Sequence, residues 1–292
     1  MRITSSETYR NFLADLETLN TSLSSLSRQV SSGKKLTQLS DSPLGSAELI
    51  SLGEQQSEID QYQSNIDTGS YFLGMADSTL NEVNNLVTSI YTNGSQSASE
   101  LTSSDARAAL AAAVRSLRDQ ILSLANTQVR GRYIFAGSNI TVPPFVLSGD
   151  TVSYQGNGNV NSIAVNDGME VEQGVAGSAA FGTVFSAIES LLTAMDANDI
   201  PGIQTALGQF SSAMSDLGQA RGQIGSNMNV LKNVETVLTS RETNLKAQQS
   251  KIEDADMAQA AVQLKQTQTA LETAISAGGS ILQQRNLFDI LG

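Results

Sequence analysis

KIEDADMAQAAVQLKQTQTALETAISAGGSILQQRNLFDILG, residues 251–292, is the stretch that decides the fold. Met257, Ala261, Leu264, Gln268, Leu271, Ile275, Gly278 and Leu282 recur there at alternating steps of four and three. That spacing draws one narrow stripe down a helix. Its side chains are medium or small, and no aromatic appears until Phe288, which follows Leu287. A counterpart stands at the other end of the chain, where Tyr9, Phe12, Leu16, Leu19, Leu23, Leu26 and Val30 keep the same rhythm. The polar face of this first helix, expected over about residues 5–31, is mostly Ser, Thr, Asn and Gln. Ser and Thr are mediocre helix formers, and an isolated helix of this quality is marginal in water. The two end helices therefore read as partners, and everything between them has to return the chain to its start.

Composition narrows the function classes. The 292 residues are 40% hydrophobic but only 16% charged and 5% aromatic, with no Trp and four Pro. Large round cores draw on bulky aromatics, so a thin, elongated set of helices is expected. Cys and His are both absent. That removes disulfides, thiolate and ordinary zinc sites, and Cys- or His-based catalysis. No catalytic residue, metal site or cofactor is assigned, and the chain does not read as an enzyme. A net charge of −12 argues against nucleic acid as a partner. No run approaches the ~18–20 apolar residues of a membrane helix, so no membrane insertion is expected. Residues 1–10 lack the basic-then-apolar pattern of a cleaved secretory signal.

Reading along the chain, Gly33 is placed to cap the first helix, with Lys34 and Lys35 near its negative end. After a linker, Ser42-Pro43 is an N-cap followed by Pro at the first helical position. A heptad run from Leu52 to Ile90 then predicts a rod of roughly 45 residues, about 65–70 Å long. Residues 92–102 read as a polar turn, and Ser103 or Ser104 as the cap of a helix with Leu110, Val114, Leu117, Ile121, Leu124 and Gln128 on its stripe. Residues 36–106 hold ten acidic and no basic residues, which suggests that Arg107, Arg115 and Arg118 face the acidic rod. From about residue 136 to 182 the apolar period changes to two, with turns at Gly149-Asp150, Gly156-Asn157-Gly158 and Asp167-Gly168. This predicts a small antiparallel β insertion. Helix returns near Thr183, Asp199-Ile200-Pro201 starts another, and the run from Ile203 to Leu245 includes Leu207, Met214 and Met228. Ser250 and Glu253 have capping-box spacing, which predicts a fresh helix start there.

The resulting expectation is a mainly α, elongated antiparallel long-helix bundle. Residues 1–40 with 251–292 form a terminal coiled-coil domain, 41–135 with 183–250 a rod domain, and 136–182 an outward-facing β domain.

Several segments carry a resemblance beyond pattern. These are Val30-Ser31-Ser32-Gly33-Lys34, Ser40-Asp41-Ser42-Pro43, Gly131-Arg132-Tyr133-Ile134-Phe135-Ala136-Gly137-Ser138, and Gly149-Asp150-Thr151-Val152-Ser153-Tyr154-Gln155-Gly156. The last are Lys251-Ile252-Glu253-Asp254-Ala255-Asp256-Met257-Ala258 and the apolar ending Leu287-Phe288-Asp289-Ile290-Leu291. With them the chain resembles the bacterial flagellin superfamily, and within it the proteins of the hook–filament junction. Gly131, Arg132, Tyr133, Phe135 and Gly137 belong to the more discriminating of these motifs. Ser42 departs from the family's usual Asp but keeps the capping role.

The resemblance implies a structural axial protein that forms a ring between hook and filament. Its implied partners are hook-associated protein 1, flagellin, further copies of itself, and a cytoplasmic export chaperone on the C-terminal segment. It also implies export through the flagellar type III apparatus to an extracellular place in the flagellum. The candidate assembly interface is then Phe12, Leu16, Leu19, Leu23, Leu26 and Val30 with Met257, Leu264, Leu271, Ile275, Leu282, Leu287 and Phe288. The termini, to about residue 39 and from about 250, are expected to order fully only on assembly. The alternatives are flagellin itself and, from a different class, a secreted coiled-coil adhesin. Glu253-Asp254-Ala255-Asp256 reads as helix N-terminal acids in preference to a cation site. Arg130 and Arg132 read as bundle contacts in preference to a grip on an anion.

Overall fold

The computed structural model describes residues 2–38 and 40–290, with 2–6, 8 and 281–290 described by backbone alone. Their elements, in chain order, are α1 (Arg2–Ser32), α2 (Pro43–Ser97), α3 (Ser104–Ala125), β1 (Gln128–Val129), β2 (Arg132–Tyr133), β3 (Phe145–Ser148), β4 (Thr151–Tyr154), β5 (Ser162–Asn166), β6 (Met169–Glu172), α4 (Gly177–Asp196), α5 (Ile200–Glu253) and α6 (Met257–Ile290). Contacts divide the chain into two compact units, Met1–Ser57 with Arg241–Gly292 and Glu58–Ser240.

The second unit is organised by two heptad seams. On α2, Ile66, Leu73, Leu80 and Val87 recur every seven residues, and Gly69, Ala76, Val83 and Ile90 follow each by three; all are buried. On α5 the same step carries Ile203, Phe210, Leu217 and Ile224, followed by Ala206, Ala213, Ala220 and Asn227. A heptad repeat keeps one seam facing a partner helix. Because small alanines form the second α5 row, Met228 is left exposed and not on the stripe the sequence suggested. The rods are joined by Arg221 Nε donating to Asp77 Oδ1 at 2.8 Å and by an edge contact of Tyr91 with Phe210.

Helix α2 has 55 residues, ten more than the spacing predicts, because it runs through Asn93-Gly94 to Ser97. Gly94 is a packing residue here: a Cβ on it would lie 2.9 Å from Leu207 and 3.0 Å from Leu191. The buried face of α3 is Arg107, Ala111, Val114, Arg118, Ile121 and Ala125. Leu110, Leu117 and Leu124 are only half-buried, and Gln128 lies in β1. The expected pairing of α3 arginines with the acidic rod is also corrected. Arg115 and Arg118 bind Asp150 in the β3–β4 turn, Arg115 also binds Asp196, and Arg118 also binds its neighbour Asp119. Arg107, 3% exposed, donates to the carbonyls of Ser97, Ser99 and Thr102 and to the amide oxygen of Asn198. It ties the α2–α3 turn to the α4–α5 turn, and no carboxylate is involved.

The β segment is three separate antiparallel pairs, β1–β2, β3–β4 and β5–β6, the last two turning at Gly149-Asp150 and Asp167-Gly168 as expected. The last two are anchored to helix by asparagine side chains. The Asn126 amide donates to Phe145 O at 2.8 Å and accepts from Phe145 N at 3.0 Å. Asn65 donates to Ala164 O, and Asn227 to Glu172 O. Between these pairs, Phe135, Phe145, Tyr154, Phe181 and Phe185 form an aromatic cluster with ring centroids 4.9–5.4 Å apart for the closer pairs.

Phe135 is the centre of the motif at 131–138. Its carbonyl accepts Gly177 N at 3.0 Å and the Tyr154 hydroxyl at 3.1 Å. That anchor starts α4 at Gly177, six residues before Thr183. Helix α4 is, by length and composition, apolar enough to cross a membrane, against the reading of the sequence. Its apolar side chains are spent in the core, where Phe181, Val184, Ile188 and Leu191 are fully covered.

Candidate assembly surface

In the first unit α1 packs along α6. Why these two helices pair follows from their stripes. Phe12, Leu16, Leu19, Leu23, Leu26 and Val30 of α1 face Leu264, Leu271 and their neighbours of α6. Close approach is possible at Gly278, where a Cβ would sit 2.4 Å from the tip of the Phe12 ring.

The pairing covers these residues incompletely. All eight of those just named are half-buried; on α6 it is Ala260 and Gly278 that are buried. The face of α6 turned to α1 is thus centred on Ala260, Leu264, Thr267, Leu271, Ala274 and Gly278. Met257 and Ile275 stand at its edge, 44% and 59% exposed. Tyr9, Leu13 and Val262 add to the open apolar surface, and of these Leu13 and Val262 lie off the sequence stripes. Leu282, Leu287 and Phe288 fall among the residues whose side chains lie outside those described. These open apolar side chains make the terminal pair the candidate surface for association.

The pair is attached to the rest of its unit by a clasp. Both segments leave helix at the same place, α1 at Gly33 with φ +74° and α5 after Glu253. Lys34 and Asp254 pair as an isolated antiparallel bridge. Lys35 N donates to Glu253 O at 2.7 Å and Ala255 N to Gly33 O at 2.9 Å. Side chains reinforce the backbone: Lys34 Nζ meets Glu253 Oε1 at 2.6 Å, and Lys35 Nζ donates to Lys251 O at 2.7 Å. Lys35 therefore serves the carbonyl end of α5, not of α1 as the sequence suggested. Glu253 holds the Lys34 ammonium above its ordinary pKa of 10.5, through the hydrogen bond first and the charge second.

The acidic run 253–256 divides its labour here. Glu253 pairs with Lys34, Asp254 accepts from Ser250, and Asp256 caps α6 by accepting from Ala258 N and Gln259 N at 3.0 Å each. The new helix starts at Met257, not at the Ser250 box, because Ser250 is spent on closing the last turn of α5. Among the described residues no group of three or more His, Cys, Asp or Glu could hold a metal ion.

At the linker, Asp41 Oδ2 accepts Thr37 N at 3.0 Å and Gln38 N at 2.9 Å. These backbone donors pull its pKa below the ordinary carboxylate value. Ser42 caps α2 by accepting Gly45 N at 3.2 Å, and Gly45 itself packs against Leu36 and Ile252. The linker motifs thus build the corner beside the clasp.

Comparison with known proteins agrees with this architecture at both ends. The family model of the bacterial flagellin N-terminal helical region matches residues 3–140, and that of the bacterial flagellin C-terminal helical region matches 207–291. Flagellar hook-associated protein 3 of Salmonella typhimurium is 23% identical over 284 residues, covering 88% of this chain and 89% of that one. The Escherichia coli protein of the same name is 23% identical over 275 residues, covering 85% and 87%. A solved structure of a flagellar hook-associated protein-3 from Legionella pneumophila superposes with a TM-score of 0.64 at 14% identity, covering 69% of this chain and 98% of that one. At that identity the likeness shows the fold.

Proposed function

This chain belongs to the bacterial flagellin superfamily, and on that premise we propose that it is the structural subunit of the hook–filament junction. It is an axial structural protein, not a catalyst, and its work is done by surfaces. In this reading copies form a ring through their terminal helices, with hook-associated protein 1 on one side and flagellin on the other. The chain reaches that place by the flagellar type III route, its C-terminal segment held by a cytoplasmic chaperone beforehand.

One observation carries the reading: the two ends of the chain fold into a single helix pair whose apolar seam stays half open. A fully buried leucine contributes about 1.5–3 kcal/mol, whereas ordering a residue's backbone costs about 1–2 kcal/mol. Residues covered on one side only recover part of that contribution, and neighbouring copies supply the rest. Phe12, Leu16, Leu19, Leu23, Leu26, Val30, Met257, Leu264, Leu271 and Ile275 are the residues we assign to this interface.

The test is a pull-down of the secreted protein against hook-side and filament-side components, with residues 1–40 and 251–292 deleted in turn. The intact chain is expected to retain both components and each deletion to lose them. Long filaments grown from the pure protein alone, seen by electron microscopy, would instead make it a filament subunit.

A further inference from the structure

Residues 58–240 contain seventeen acidic and seven basic residues. Four of the seven are engaged within the unit: Arg107 by carbonyls and the Asn198 amide, and Arg115, Arg118 and Arg221 by carboxylates. Among the described residues Lys232, on α5, has no carboxylate within ion-pair distance. Arg130 and Arg132 flank a single glycine in the β1–β2 turn, and both are exposed. Among the described residues neither has a carboxylate within ion-pair distance.

Each guanidinium is already oriented. The Arg130 Cζ lies 5.4 Å from the centroid of the Tyr71 ring, and that of Arg132 lies 5.8 Å from the Phe72 ring. Stacking on a ring fixes the guanidinium plane while leaving its N–H edge free for a bidentate carboxylate. The backbone points the same way. Arg130 has φ +53° and Gly131 φ +76°, the left-handed pair that a two-residue hairpin turn demands. Asn-Gly relaxes into that turn, whereas an arginine in its first position is strained. A strained residue with a free, oriented charge is a mark of use.

We propose that Arg130 and Arg132 form a carboxylate-receiving patch that docks the acidic α2 surface of a neighbouring copy of this chain. Charge complementarity selects the occupant. Helix α2 carries seven carboxylates and no cation; Asp77 is taken by Arg221, while Asp67 and Glu82 are exposed. Copies set side by side would repel through these surfaces without a cation between them. The patch supplies it, resting on the ring reading for the side-by-side arrangement.

The test exploits the difference between the two cationic side chains. The Arg130→Lys/Arg132→Lys variant keeps the charge and introduces amines that a carbodiimide couples to any carboxylate in salt-bridge contact. In isolated flagella, mass spectrometry is expected to find position 130 or 132 joined to an α2 carboxylate, a link absent from dilute monomer. The Arg130→Glu/Arg132→Glu variant is expected to enter flagella several-fold less than wild type, with an unchanged helical signal by circular dichroism. Links between copies through other lysines, with none from 130 or 132, would overturn the patch and leave the ring standing. Undiminished incorporation of the Glu variant would overturn it too. Absence of the wild-type protein from flagella would remove the ring reading and the patch together.

Discussion

Lys34 and Glu253 lie 219 residues apart in sequence and 2.6 Å apart in space. Their ion pair closes the clasp at which α1 and α5 both stop, flanked by the backbone bonds of Lys35 to Glu253 and Ala255 to Gly33. Neither bond belongs to a helix, so this crossing holds the terminal pair in place without a continuous helical connection.

Charge exchange tests the clasp. Lys34→Glu or Glu253→Lys alone should loosen the terminal pair, and the double exchange should recover most of the loss. Partial exposure keeps the effect of an ion pair small, so the readout is amide exchange at residues 33–35 and 253–255. Equal losses in single and double variants would show that the side chains are not coupled. The pH dependence has a definite sign. Because the folded pKa of Lys34 is raised, its contribution is complete below the ordinary value of 10.5 and fades as pH rises through the folded value. Alkaline titration should therefore loosen wild type more than Lys34→Met.

Gly137→Ala tests the motif at 131–138. Gly137 has φ +70°, and a Cβ there would lie 2.3 Å from the Asn157 carbonyl oxygen. Backbone strain and collision act together, so the loss should exceed about 1 kcal/mol in urea unfolding. Gly131→Ala, where nothing lies within 4 Å, meets the strain alone and should cost less.

Arg107→Met tests the lock between the two inter-helix turns. The substitution fills similar space but leaves the carbonyls of Ser97, Ser99 and Thr102 without their donor. Of these only Ser97 is a fully covered residue, and a buried acceptor left unpaired costs about 1–3 kcal/mol. Urea unfolding should register that loss, and a stability equal to wild type would show that water replaces the guanidinium.

Ile275→Asp separates assembly from folding. Ile275 is 59% exposed, so the monomer should keep its helical circular dichroism, while incorporation into flagella should fail. Leu23→Asp, at a half-buried position facing α6, should both block incorporation and weaken α1–α6 pairing. In dilute monomer, amides of residues 12–30 and 260–278 should exchange faster than those of 73–90, where Leu73, Leu80, Val83, Val87 and Ile90 are wholly covered. Loss of the whole helical signal on either substitution would tie the seam to folding of the rods and not to assembly.

Local chemistry was the legible part. Gly33 as a left-handed cap, Ser42 and Ser103 as N-caps, and the turns at Gly149-Asp150 and Asp167-Gly168 all depend on residues within four positions of one another. The heptad of α5 was legible in its large residues but not in Ala206, Ala213 and Ala220, because alanine is equally at home on a helix surface. The α3 arginines were misassigned for a related reason. Which carboxylate an arginine meets depends on where the Asp150 turn docks, and no spacing in the chain records that.

By itself the sequence determined that the chain is mainly helical, that its two ends match, and that a short-period insertion interrupts the rods. Periodicity and capping are local, and they are written in neighbouring residues. Tertiary structure decided the rest: where α2 ends, where α4 begins, and how far the terminal seam is covered. Each was settled by a contact between residues far apart in the chain, such as Gly94 under Leu207, Gly177 on the Phe135 carbonyl, and Gly278 under Phe12. Such contacts exist only once the helices have come together.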